Sequence, residues 1–136
     1  MAVGTNVGLD TSLPAGADLS SSQFYLVKVN SSGNVVLCDG TIGEGYLGVL
    51  QNDPTATQSA GVRYGGISKV VCGGSFNPGD KLAADSAGKA VKYTKATVFT
   101  GTPYIVSGTT VVGLALSAGA ASARATMVVL NAGLCG

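Results

Sequence analysis

From Gln23 onward, no run of this chain goes far before glycine, proline or an asparagine turn interrupts it, and 21 of its 136 residues are glycine. The runs between interruptions are short and concentrate β-branched and aromatic residues, at about residues 24–29, 34–38, 45–51, 61–72, 81–84, 89–93, 103–106, 111–117 and 124–130. Such residues suit a pleated, half-buried surface. Strands this short, separated by such turns, predict an all-β fold, a small β-barrel or a sandwich. Residues 118–125 are alanine-rich but lie between two strands, so they read as a loop or a single short helix.

The turns carry the sharpest local chemistry. Asn30-Ser31-Ser32-Gly33 joins two strands with a side chain that can bond its own backbone first and glycine last, as a tight hairpin requires. In Asn77-Pro78-Gly79-Asp80, proline presets φ and glycine supplies the positive φ of a type II turn. Asp85-Ser86-Ala87-Gly88 is a second turn close by, with Asp first and Gly fourth. Pro78, Gly79, Asp80, Asp85 and Gly88 are therefore structural turn residues, and the two turns frame a compact hairpin.

Two runs also echo each other. Tyr46-Leu47-Gly48-Val49-Leu50 and Val111-Val112-Gly113-Leu114-Ala115-Leu116 each place a glycine among apolar strand residues. Glycine inside a strand marks a bulge or a close backbone approach.

Residues 1–22 differ from the rest. They are rich in Gly, Ser, Thr and Ala, and Val3, Val7, Leu9, Leu13 and Leu19 are spaced with neither strand nor helix period. This stretch reads as an extended N-terminal arm ahead of a β-domain at 23–136. It orders only against something else, and its removal is expected to leave the β-domain folded; the bland alternative is a floppy tail.

Composition narrows function. Charged residues make up 11% of the chain, against ~25% in ordinary soluble domains, and the net charge is +1. So little charge promotes association, which implies a surface covered in the working state. The six lysines and two arginines are scattered among acids, so no nucleic-acid stripe is present. Lys89, Lys92 and Lys95 read as a solvated strand edge. No stretch has the ~20 apolar residues of a membrane helix, and the N-terminus lacks the pattern of a secretory signal, which fits synthesis in a cytoplasm.

Catalysis is disfavoured. There is no histidine, so Cys38, Cys72 and Cys135 have no histidine base and cannot make an ordinary zinc site. The cysteines read as buried small hydrophobes, with one disulfide or a crosslink through Cys135 as the alternative. Asp53, Asp80 and Asp85 sit in turns. Asp39 and Glu44 flank a loop and are thin support for calcium. Gly43 to Gly48 spells GxGxxG without a βαβ context. The expectation is a non-enzyme with no cofactor and no metal.

The order of these pieces resembles the capsid decoration, or cement, proteins of tailed bacteriophages. The matching set runs from Gly48-Val49-Leu50 and Ser59-Ala60-Gly61-Val62-Arg63, leading to Val70-Val71, through Pro78-Gly79-Asp80-Lys81-Leu82 and Asp85-Ser86-Ala87-Gly88-Lys89-Ala90, to Val112-Gly113-Leu114-Ala115-Leu116 and a closing strand at 126–130. The three cysteines and residues 94–107 have no counterpart in that pattern. The resemblance implies a small β-barrel or β-tulip on the outer surface of an icosahedral head, assembled in the bacterial cytoplasm. It implies as partners the major capsid protein, whose neighbouring subunits it would bridge, and copies of itself, as a trimer or else a dimer. Val3, Val7, Leu9, Leu13 and Leu19 become candidate capsid contacts through the arm. The alternative is a β-rich binding module, a fibre base or glycan-binding domain, displayed on a particle; few aromatics (6%, no Trp) count against sugar binding.

Overall fold

The computed structural model describes residues 8–41, 45–93, 96–99, 104–107 and 111–129. The strands among them, in chain order, are β1 (Gly8–Pro14), β2 (Leu26–Val29), β3 (Val35–Leu37), β4 (Tyr46–Leu50), β5 (Ser59–Val71), β6 (Lys81–Ala84), β7 (Ala90–Lys92), β8 (Ala96–Phe99), β9 (Tyr104–Ser107), β10 (Val111–Ala115) and β11 (Arg124–Val129). No helix occurs among the described residues. The fold is all-β, as the sequence predicts.

Nine strands form one antiparallel sheet in the order β3-β2-β4-β5-β11-β10-β6-β7, with β1 added to β5. The sheet curls into a half-barrel whose far ends approach each other. Ala90 of β7 makes a parallel bridge with Cys72, just past β5, and the Leu26 amide donates to the Gly88 carbonyl (2.7 Å). At the other edge, Ala15 bridges Val35 of β3. Both ends of the strand order are thus covered, which protects groups that would otherwise template pairing with another chain. β8 and β9 pair separately as a two-stranded hairpin.

The hairpin turns obey the chemistry read from sequence. The Asn30 carboxamide oxygen accepts from the Ser32 and Asn34 amides (3.0 Å each), and Gly33 has φ +81°. The Asp85 carboxylate accepts from the Ala87 (2.8 Å) and Lys89 (2.9 Å) amides, and Gly88 has φ +80°. At 77–80, Gly79 has φ +89° and the Asp80 amide donates to the Asn77 carbonyl (3.1 Å).

The in-strand glycines sit at irregularities. The β2–β4 register slips beside Gly48, and the β10–β6 register slips between Val111 and Gly113. A Cβ on Gly48 would run into the Arg63 carbonyl, and one on Gly113 into the Met127 side chain and the Val128 carbonyl.

β5 is long enough to serve three partners, β4 at Val62 and Arg63 and two others in succession. Its first part pairs with β1 from Ser59 to Gly66, and its second with β11 from Gly66 to Val71. The change falls at Gly66, which has φ +95°.

Two apolar clusters form. The larger, inside the curl, includes Leu26, Val49, Val70, Leu82, Val112 and Met127. The smaller lies across β2 and β4 and gathers Ala15, Leu19, Val27, Val35, Leu50, Ala60 and Val62, with Leu13, Leu37 and Leu47 against it. Leu26 and Val49 face the first cluster, whereas their neighbours Val27 and Leu50 face the second. These strands are buried on both faces, which is why they read as continuous apolar runs rather than alternating ones.

The leading segment differs from the sequence reading. Residues 8–14 are a strand, and what they order against is the chain's own β5. Leu13, Ala15 and Leu19 close the second cluster. The strand at 96–99 was also not legible, whereas residues 118–123 form a loop rather than a helix. Cys38 and Cys72 are buried, as small hydrophobes are; Cys135 lies outside the described residues.

Candidate contact surface

Among the described residues no group of three or more Cys, Asp or Glu side chains converges as a metal site would require. Asp39 pairs with Lys28 (3.1 Å), while Gly43 and Glu44 lie outside the described residues. Burial pushes the Cys72 thiol above its usual value, which keeps it protonated and unreactive. Burial, and then the nearby Cys38, push Tyr46 far up; its hydroxyl donates to the Val112 carbonyl (3.1 Å) inside the curl.

The predicted arm residues do not gather into one site. Val3 and Val7 lie outside the described residues. Leu9 is 59% exposed on β1, Leu13 packs against the second cluster, and Leu19 is 2% exposed within it. The turn residues frame β6, Pro78 to Asp80 before it and Asp85 to Gly88 after it. Gly88 is held against Leu26, so that turn joins the half-barrel's ends.

What the described residues do assemble is a pair of clefts on either side of one ridge. The first, about 610 Å³, is lined by Phe24, Ile67 and Leu116 together with Gln51, Arg63, Ser68, Lys69 and Thr126. Its side chains are ordered by their partners. Arg63 donates from Nε to Asp10 Oδ1 (2.8 Å), from Nη2 to Asp10 Oδ2 (3.2 Å) and from Nη1 to the Ile67 carbonyl (2.9 Å). This fork ties β1 to the cleft wall, and the hydrogen bond from Arg63 holds the Asp10 carboxyl below its usual value. The Gln51 amide donates to the Ser68 hydroxyl (2.9 Å). Leu116 is 44% exposed at the mouth, and Leu9 stands on β1 beside Asp10.

The second cleft, about 290 Å³, is polar and is lined by Ser20, Ser21, Gln23, Tyr25, Asp53, Val71, Ser122 and Arg124. The ridge between the clefts is Phe24, in the first, with Arg124, in the second, stacked over its ring at 5.2 Å. Gln23 continues it, donating to the Gln51 carbonyl (3.0 Å).

Sequence reasoning missed these residues because they come from segments far apart in the chain. One signal was present: both arginines line clefts, and Arg124 is the lone charge after Lys95.

No family model matches the chain, and no curated protein matches it. Among solved structures, it is similar to the head fibre gp8.5 N base of bacteriophage phi29, with a TM-score of 0.59 and 16% identity, covering 89% of this chain and 94% of that one. The chain therefore has the fold of a phage head-fibre base over nearly its whole length.

Proposed function

We propose that this chain is a structural protein of a bacteriophage virion that sits on the outer surface of the head and acts by adhesion, without catalysis. The observation that carries the reading is the likeness to the phi29 head-fibre base across most of both chains. The low charge and the absence of histidine accord with it.

In this reading the domain is a base. It docks on the major capsid protein, associates with copies of itself as a trimer, and holds further protein away from the shell. The docking face is the Phe24–Ile67–Leu116 cleft, with the exposed Leu9 of β1 as a separate second contact. Repetition about a symmetry axis multiplies modest contacts into high avidity.

The test is cosedimentation of the purified protein with capsids lacking it. Leu9→Asp and Leu116→Asp are expected to reduce occupancy while leaving thermal melting unchanged, since both side chains are exposed. Full occupancy by both variants would remove the docking face from the proposal.

A second reading, favoured by the ordered set of sequence motifs shared with decoration proteins, is a cement that bridges capsid subunits. A protein that binds only the closed lattice stabilises it by mass action. Heads lacking the protein separate the two. Loss of heat or osmotic resistance marks a cement, and intact heads without appendages mark a base.

A further inference from the structure

We propose that the polar cleft beside the Phe24–Arg124 ridge is a binding site for a neutral carbohydrate. It is distinct from the apolar docking face and does not depend on attachment to a head.

The walls come from four segments distant in sequence, each fixed by main-chain hydrogen bonds. The Tyr25 amide donates to the Ser22 carbonyl (3.0 Å), the Leu19 amide to the Pro54 carbonyl (2.9 Å), the Val71 amide to the Phe24 carbonyl (3.0 Å) and the Ser122 amide to the Cys72 carbonyl (2.9 Å). The site is thus built before any ligand arrives, which lowers the ordering cost of binding. At about 290 Å³ it matches the small end of ligand pockets, ~300 Å³, the scale of one sugar ring.

Its backbone is strained where it meets the cleft. Of the three non-glycine residues with positive φ among the described residues, Ser122 (+67°) lines the cleft and Phe24 (+67°) lies between its lining residues Gln23 and Tyr25. Left-handed non-glycine residues cost free energy and cluster at ligand sites. Phe24 in this conformation stacks with Arg124, which holds the guanidinium at the rim.

The side chains select the ligand class. Asp53 and Arg124 line the same cleft, and among the described residues neither forms an ion pair. The Tyr25 hydroxyl likewise makes no hydrogen bond among them, although Lys89 lies 6.0 Å from its ring centre. An anion would be repelled by Asp53 and a cation by Arg124. A sugar hydroxyl both donates and accepts, so neighbouring hydroxyls of one ring satisfy the carboxylate and the guanidinium together. The scarcity of aromatic residues, which weighs against sugar binding in the sequence, weighs less where recognition runs through this polar set.

The experiment is NMR titration of the full-length protein with glucose, galactose, N-acetylglucosamine and their short oligomers, with glycine and inorganic phosphate as the zwitterionic and anionic comparisons. The expected result is amide shifts at Tyr25, Ser122 and Arg124 with at least one neutral sugar, and no such shifts with glycine or phosphate. Asp53→Ala and Arg124→Ala should each weaken binding by about tenfold or more, the effect of losing a charged hydrogen bond. Both positions are exposed, so the variants should remain folded, and their spectra report this directly. Absence of shifts with every sugar at millimolar concentration, shifts confined to another face, or preferential binding of glycine or phosphate would overturn the proposal.

Discussion

The Arg124 guanidinium lies over the Phe24 ring, 5.2 Å from its centre, and this pair divides an apolar cleft from a polar one. Phe24 also packs against the main core, whereas Arg124 is exposed. Phe24→Ala is expected to destabilise the domain by about 2 kcal/mol, less than for a fully buried ring. Arg124→Ala should cost about 0.5–1 kcal/mol, as exposed cation–π pairs do. Denaturant melts of the two variants and the double variant check this. Additive losses would mean that the stack carries no coupling.

Leu19 is the point at which the leading segment becomes part of the core. At 2% exposure in the second cluster, its replacement by Ala should cost about 3 kcal/mol. Deleting residues 1–22 would also remove β1 and Ala15, uncovering Val27, Val35, Leu50 and Val62. The expected product is a destabilised, aggregation-prone domain, not the intact one expected from sequence. Circular dichroism and light scattering on the truncated protein decide between the two.

Gly48 and Gly113 leave no room for a side chain. Gly48→Ala is expected to destabilise by about 3 kcal/mol, because the clash is with the Arg63 carbonyl, which cannot move without opening the β4–β5 pairing. Gly113→Val should impair folding at least as much, since Met127 and the Val128 carbonyl occupy the space. Soluble variants with native melting temperatures would contradict both.

Asp10 gives the β1–β5 junction a pH dependence. Its folded pKa is lowered from 3.8, chiefly by the hydrogen bond from Arg63. A depressed carboxyl contributes stability that is present above the unfolded value and lost as pH falls through the folded one. The protection of β1 amides relative to their intrinsic exchange should therefore fall below pH ~3.9. Asp10→Asn should remove most of that change. Asp18, lowered by hydrogen bonds from Ser20, titrates in the same window, so Asp18→Asn is the comparison. Equal acid sensitivity in wild type and Asp10→Asn would show that the fork does not hold the strand.

Tyr46→Phe isolates one buried hydrogen bond. The lost hydroxyl leaves the Val112 carbonyl without that donor, at a cost of about 1–2 kcal/mol by chemical denaturation. The wild-type phenol should stay un-ionised in alkali until the domain unfolds, because burial raises its pKa.

Local chemistry was the legible part of this chain. Asn30, Gly33, Asp85 and Gly88 act within a few residues of themselves, so spacing alone exposed their turns, and Gly48 and Gly113 announced irregular strands for the same reason. β1 escaped notice because its hydrophobicity does not follow its burial: burial alternates from Asp10 to Pro14, but one inward position is the polar Thr11, and the apolar Leu9 is exposed. Its order comes from pairing with β5, about fifty positions away, and no local period encodes that. The clefts were hidden for a related reason. Phe24, Asp53, Ile67, Leu116 and Arg124 meet only once the sheet has curled.

Gly8 and Val129 both lie opposite Gly66 on β5. Paired Cα atoms in such ladders are about 5 Å apart, which puts the two positions within about 11 Å of each other. The polypeptide thus comes in and goes out at one spot, like a bead hung from a single knot. A linker of a few residues would join the two positions, so the domain should tolerate circular permutation or insertion into a loop of another protein. Anything joined to the domain at both of these positions is therefore held at two neighbouring points.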